Sequence, residues 1–149
     1  MALGRYTSDL EEGDRLGPIE VTISPFAVRE YCHAVEMHQP EFQDSLPPMV
    51  PPTMVHLEKL RLYSRFCPAG CGPNARVHFI YSATWHAPIR AGEKLMVGGL
   101  VSRRYHKRGR EYMDMDIEIR SAVEGRLLAE YRDTVVLAYR SGAAERERA

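Results

Sequence analysis

The feature that narrows the fold most is a set of four strand-like runs in the second half of the chain, separated by turn residues at regular intervals. Ala75 to His86, Lys94 to His106, Glu111 to Val123 and Leu127 to Tyr139 are divided by Ala91-Gly92-Glu93, Lys107-Arg108-Gly109-Arg110 and Glu124-Gly125-Arg126. Turns at this spacing argue for consecutive antiparallel strands. From residue 113 onward Met113, Met115, Ile117 and Ile119 alternate with Asp114, Asp116, Glu118 and Arg120. A period of two puts the apolar set on one face and leaves the other wet.

The first half has a different pattern. Asp9-Leu10-Glu11-Glu12-Gly13-Asp14 is a polar opening loop, and Leu16 to Ile23 alternates as a first strand. Ser24 is placed to cap a helix with Pro25 at its first position. Phe26, Val28, Tyr31, Cys32 and Val35 then recur at helical spacing, giving an amphipathic helix over residues 25–36. Pro40, Pro47, Pro48, Pro51 and Pro52 stop any continuation. Thr53 is expected to cap a second helix running to about Phe66, with Met54, Leu57, Leu60 and Tyr63 as its core face. One strand, two helices and four antiparallel strands make an α+β domain over residues 1–140, and Ser141 to Ala149 form a small, charged tail expected to fray.

A length of 149 residues suits one domain with a real core and is too short for two. Twenty basic and twenty acidic side chains cancel, so no global field favours nucleic acid or an anionic membrane. The start of the chain has no apolar run of signal-peptide length and no stretch has the length of a membrane span, which gives a cytoplasmic expectation. Cys32, Cys67 and Cys71 cannot all pair within the chain, in keeping with a reducing compartment. Cys67-Pro68-Ala69-Gly70-Cys71 has no second pair to complete a metal shell and reads as a loop after a helix, so no metal is expected.

Four motifs sharpen the fold class. They are Leu10-Glu11-Glu12-Gly13-Asp14, the loop Glu36-Met37-His38-Gln39-Pro40-Glu41-Phe42-Gln43-Asp44, the segment Pro51-Pro52-Thr53, and Ala87-Pro88-Ile89-Arg90-Ala91-Gly92-Glu93. Together they resemble the MaoC-like hydratases and dehydratases from about Asp9 to Tyr139. In that family the loop reads roughly Gly-Asp-x-Asn-Pro-Leu/Ile-His-x-Asp, and a segment like Ala-Pro-Pro-Thr opens a buried helix. The resemblance implies a hotdog domain, a long antiparallel sheet wrapped around a central helix. Aligned on Pro40 and Asp44, Met37 stands where the family has its catalytic Asp and Phe42 where it has its catalytic His.

Hydration of an enoyl thioester needs a base for water, an acid for the alpha carbon, and donors for the thioester carbonyl. The resemblance places those donors at the start of the central helix, among the backbone amides near Val55 and His56. Acid–base chemistry must then come from neighbours of the missing pair: His56 and His38 first, then Glu36, since imidazole titrates near neutral pH. Each also fits a plainer role, His38 and Glu36 as exposed loop and helix-end residues and His56 as a hydrogen-bonded core histidine. Val55, Thr53, Tyr31, Phe42 and Met37 are the expected substrate-binding set, with Tyr31 and Phe42 lining a pocket or filling core. The basic hairpin Arg103 to Arg110 reads as a solvated, edge-protecting turn, or less favourably as a site for coenzyme A phosphates or an acidic carrier protein.

Three functions compete. The first is a MaoC-like hydro-lyase acting on an acyl thioester with a non-standard acid–base set. The second is a catalytically silent hotdog subunit that shapes the acyl tunnel of a heteromeric dehydratase; the Gln39-Pro40-Glu41-Phe42 and Pro51-Pro52-Thr53 segments look especially like that N-terminal, non-catalytic type of half. The third is a hotdog thioesterase, for which Glu58 is the acidic residue within the central helix. All three imply at least a dimer, homomeric or with a catalytic partner, because one hotdog leaves a sheet edge and a tunnel side uncovered. The acyl carrier is coenzyme A or a carrier protein, and no cofactor is implied.

Overall fold

The computed structural model of the chain describes residues 5–70 and 77–137. The expected tail 141–149, Cys71, the beginning of the strand expected from Ala75 and the end of the strand expected to reach Tyr139 lie outside the described residues. Strands β1 (Arg15–Thr22), β2 (Val77–Trp85), β3 (Lys94–Lys107), β4 (Arg110–Ser121) and β5 (Leu127–Val136) form one antiparallel sheet in the order β1-β3-β4-β5-β2. The class is α+β, as expected.

The expectation of four consecutive antiparallel strands needs one correction. β3, β4 and β5 do follow one another, but β2 pairs with β5 at one edge while β1 pairs with β3 at the other. The segment after β2 cannot simply turn back, because its backbone is engaged elsewhere. Val50 N–H donates to the Ile89 carbonyl at 2.8 Å, Ala91 N–H to Pro48 at 2.9 Å and Gly92 N–H to Ile23 at 2.8 Å. Two motifs distant in sequence, the proline-rich loop and Ala87 to Glu93, are thereby zipped together, and Ile89 and Ala91 are buried.

Alternation along β4 holds on the inner face, where Met113, Met115, Ile117 and Ile119 are fully buried. On the outer face Glu118 is exposed, yet Asp114 is buried rather than wet. It sits directly opposite Thr134, whose hydroxyl donates to its carboxylate at 2.7 Å and gives the buried group a short polar partner. In the β3–β4 hairpin Arg108 and Gly109 both have positive φ, as a tight two-residue turn demands. Arg104 is not part of a solvated turn, since its guanidinium holds the Ser8 and Leu10 carbonyls and pairs with Glu111.

Helix α1 (Pro25–Ala34) starts as expected, with the Ser24 hydroxyl accepting the Ala27 amide at 3.0 Å. It ends earlier than residue 36, and its burial is narrower than the apolar stripe suggested, with Val28 and Cys32 buried and Phe26 and Val35 exposed. Pro40 opens a short helix, α2 (Pro40–Gln43). The expected second helix is divided into α3 (Pro52–Val55) and α4 (Glu58–Phe66). Its core face differs in part: Tyr63 is buried and Met54 packs against the core as expected, but Leu57 and Leu60 are each 44% exposed, whereas Val55, Glu58, Lys59 and Leu62 are buried. Three-residue steps advance less than a full turn, so a strict ladder of them winds off the packed face, which the spacing Val55, Lys59, Leu62 instead follows.

Leu62 brings α4 against the sheet at Gly99. A Cβ there would meet Leu62 Cδ1 at 3.3 Å, Ile117 Cδ1 at 3.2 Å and Met115 Sδ at 3.1 Å, so close helix–sheet packing depends on the missing side chain. Gly99→Val is expected to lower unfolding stability by about 1–3 kcal/mol through overpacking. Chemical denaturation that leaves the variant as stable as the parent contradicts this packing.

Candidate functional site

The start of the central helix is built differently from the expectation. Pro51, in extended backbone, is the cap residue and Pro52 the first helical one, so Thr53 lies inside the helix rather than capping it. Its hydroxyl serves another purpose: Tyr31 OH donates to Thr53 Oγ1 at 2.7 Å, tying α1 to α3. Of the expected substrate-binding set, Tyr31 and Thr53 are therefore brought together at the surface, while Val55 and Phe42 are buried and Met37 packs, partly buried, against the core. A cavity of ≈ 310 Å³ opens beside Pro52, lined by Met49, Val50, Trp85, Ala87 and Ile89 among others. A larger concavity, ≈ 1010 Å³, lies between β1 and α4 and is rimmed by Arg61 and Arg65.

The loop between α1 and α2 has a clear mechanical logic. Glu36 has φ +57 and its amide reaches the His33 carbonyl at 3.4 Å, while Met37 N–H reaches Cys32 at 2.9 Å. These paired bonds terminate α1 in a left-handed residue, a position that favours glycine. In the loop pattern of the resembling family, Glu36 stands at the Gly. Gln43 Nε2 donates to the Met37 carbonyl at 2.7 Å and lies 3.4 Å from His38 Nδ1. His38 and Glu36 are exposed. Among the described residues, no hydrogen bond or ion pair joins His56, His38 and Glu36 to one another.

His56 belongs instead to an interior polar cluster between the central helix and the inner face of β5 and β2. Lys59 Nζ is 2.8 Å from Asp133 Oδ2, both side chains being buried, and 3.1 Å from His56 Nε2. With Lys59 charged beside Asp133 its ammonium can only donate, and the accepting role then falls to Nε2. Nδ1 is itself buried. The Tyr81 ring meets His56 edge-on at 4.2 Å between centroids, and Tyr131 lies 5.7 Å away. Burial first, and the Asp133 carboxylate second, push the Tyr81 hydroxyl up from its ordinary pKa, and burial does the same more strongly to Tyr131.

Sequence reading missed Lys59, Asp133, Tyr81 and Tyr131. A signal was present: Tyr131, Asp133 and Val135 share one strand face, and Lys59 is in phase with Val55 and Leu62 on the helix. A charge in phase with an apolar face is the mark of a buried ionic pair. Glu58, the thioesterase candidate, is also buried and pairs with Arg61 Nε at 2.7 Å.

Neither a family model nor a curated protein matches the sequence. Solved structures do match. A chain of the HadBC (3R)-hydroxyacyl-ACP dehydratase complex from Mycobacterium tuberculosis has a TM-score of 0.72 and 18% identity, covering 84% of this chain and 96% of that one. The R-hydratase PhaJ1 from Pseudomonas aeruginosa gives 0.69 and 11%, covering 89% and 85%. A MaoC-like dehydratase from Rhodospirillum rubrum gives 0.66 and 18%, covering 92% and 99%. The likeness extends over almost the whole of each partner, and the chain has the hotdog fold.

Two predictions follow from the cluster. Lys59→Ala or Asp133→Ala strands a buried charge and is expected to cost about 3–5 kcal/mol, whereas Lys59→Met with Asp133→Leu recovers most of the loss. Equal losses in the single and double variants, measured in urea, contradict the pairing. Burial raises the Glu58 carboxyl above its ordinary 4.5, with Arg61 offsetting only part. Its contribution to stability is therefore present below pH 4.5 and lost as pH rises through the shifted value. Glu58→Gln should melt above the parent at neutral pH, with the gap closing in acid; a gap independent of pH refutes the assignment.

Proposed function

We propose that this chain is a MaoC-like hotdog subunit that helps seat an acyl thioester for hydration or dehydration while a partner hotdog supplies the acid–base pair. The observation that carries this reading is Lys59 Nζ on His56 Nε2. A catalytic imidazole must offer a nitrogen to the substrate, and here one nitrogen is engaged and the other buried. Met37 and Phe42 bring no titratable group to the loop, and Glu36 serves as the left-handed terminator of α1. Cys32 is a buried thiol, in keeping with a cytoplasmic setting, and no described helix is long and apolar enough to cross a membrane.

A partner is supported by the surface. β2 is an edge strand, and Phe79 and Ile80 on it are 54% and 52% exposed. Apolar side chains on an unpaired edge favour strand addition or face packing by another chain. The solved neighbours include chains of the HadBC complex and of the ChsH1-ChsH2 complex from Mycobacterium tuberculosis. The second reading makes the chain a hydro-lyase of its own, using His38, His56 and Glu36; it draws on the exposure of His38 beside the loop that Gln43 holds. For the thioesterase reading, Glu58 is the residue to test, although its carboxylate is committed to Arg61.

The purified chain is offered a short and a medium enoyl-coenzyme A, with and without a catalytic MaoC-like hotdog, following loss of enoyl absorbance and release of thiol. The expected result is silence alone and absorbance loss only in the mixed sample, at a rate that Phe79→Asp/Ile80→Asp reduces at least about tenfold by weakening the interface. Turnover by the chain alone that disappears in His38→Ala or His56→Ala, and also in Glu36→Gly, whose backbone suits the left-handed position, makes it an enzyme in its own right. Thiol release lost in Glu58→Gln identifies a thioesterase.

A further inference from the structure

The division of the central helix has a specific cause. His56 and Leu57, between α3 and α4, already have helical dihedrals, −54/−28 and −73/−15. The backbone is thus poised for an unbroken helix, in which the Lys59 amide would donate to the Val55 carbonyl. Instead the Lys59 amide donates to Tyr131 OH at 3.1 Å, and that hydroxyl is 3.3 Å from the His56 carbonyl and 3.5 Å from the Val55 carbonyl. On either side the chain tightens to three-residue bonds, Leu57 N–H to Met54 and Leu60 N–H to Leu57. A side chain inserted into the ladder is one of the few physical causes of a helix break.

We propose that the Tyr131 hydroxyl is a wedge that keeps the central helix in two pieces, and that its withdrawal lets residues 52–66 close into one continuous helix. The rest of the ring is anchored by its strand: Tyr131 is 3% exposed, and Asp133, two residues on and on the same face, is held by Lys59. The wedge therefore fixes α3 independently of α4. Because Thr53 on α3 bonds Tyr31 on α1, the aim of α3 also sets the spacing of these two surface hydroxyls. Any consequence for acyl binding rests on the function proposed above; the break itself does not.

The test is the hydrogen-bond scalar coupling between the Lys59 amide nitrogen and the Val55 carbonyl carbon in labelled full-length protein. It is expected to be absent in the parent and to appear in Tyr131→Phe, which keeps the ring and removes the hydroxyl. Coupling already present in the parent, or absent from folded Tyr131→Phe, overturns the wedge. Should that variant fail to fold, the parent spectrum still decides, since a Lys59–Val55 coupling there refutes the proposal. Butyryl-coenzyme A is then titrated into both proteins, with an expected affinity change of about two- to tenfold, the worth of one hydrogen bond. Parent amides at Thr53 and Val55 that ignore the thioester sink the functional reading and leave the wedge intact, whereas equal affinities in both proteins sink its link to the site.

Discussion

The buried ion pair between Lys59 and Asp133 is the contact on which the central region depends. Asp133 has no exposed surface and its carboxylate lies 2.8 Å from the ammonium, deep between the central helix and the sheet. Such a pair adds little net stability over an apolar equivalent, but neither half can be left alone there. It therefore acts as a register pin. With Asp133 on the inner face of β5, strand alternation puts Tyr131 on the same face two residues earlier, where its hydroxyl reaches the helix break. With Lys59 fixed, its ammonium also reaches His56.

This arrangement bears on chemistry in a way that a count of ionisable groups would not. The chain has histidines and carboxylates near the expected place, and three of them carry structural contacts. Glu36 ends a helix, Glu58 pairs with Arg61, and His56 meets Lys59. Met37 and Phe42 in the loop are apolar and packed. What remains at the helix start is a shape: the Tyr31–Thr53 pair, with an apolar cavity opening beside the neighbouring Pro52.

The legible part of the fold was the part governed by local periodicity and turn chemistry. The Ser24-Pro25 helix start, the β3–β4–β5 meander and its tight Arg108-Gly109 turn all follow from neighbours in sequence. What was not legible depended on partners far along the chain. β2 moves to the opposite edge because Ile89 and Ala91 bond to the proline-rich loop, and the central helix breaks because a tyrosine 72 residues from Lys59 enters it. The exposure of Leu57 and Leu60 against the burial of Glu58 and Lys59 inverts the usual ranking; Lys59 is partnered by Asp133 on the inner face and Glu58 by Arg61. For the site, His56 was singled out in the sequence but Lys59, Asp133, Tyr81 and Tyr131 around it were not, since a histidine is available or committed according to what meets its second nitrogen.

The account turns on the state of one imidazole, and long-range proton–nitrogen correlation of the His56 ring at neutral pH reads that state directly. A neutral ring with the proton on Nδ1 and an unprotonated Nε2 accepting from Lys59 is expected, with a change of that pattern in Lys59→Met. A ring protonated at Nε2, or an imidazolium, would contradict it and return His56 to the list of groups free to move a proton.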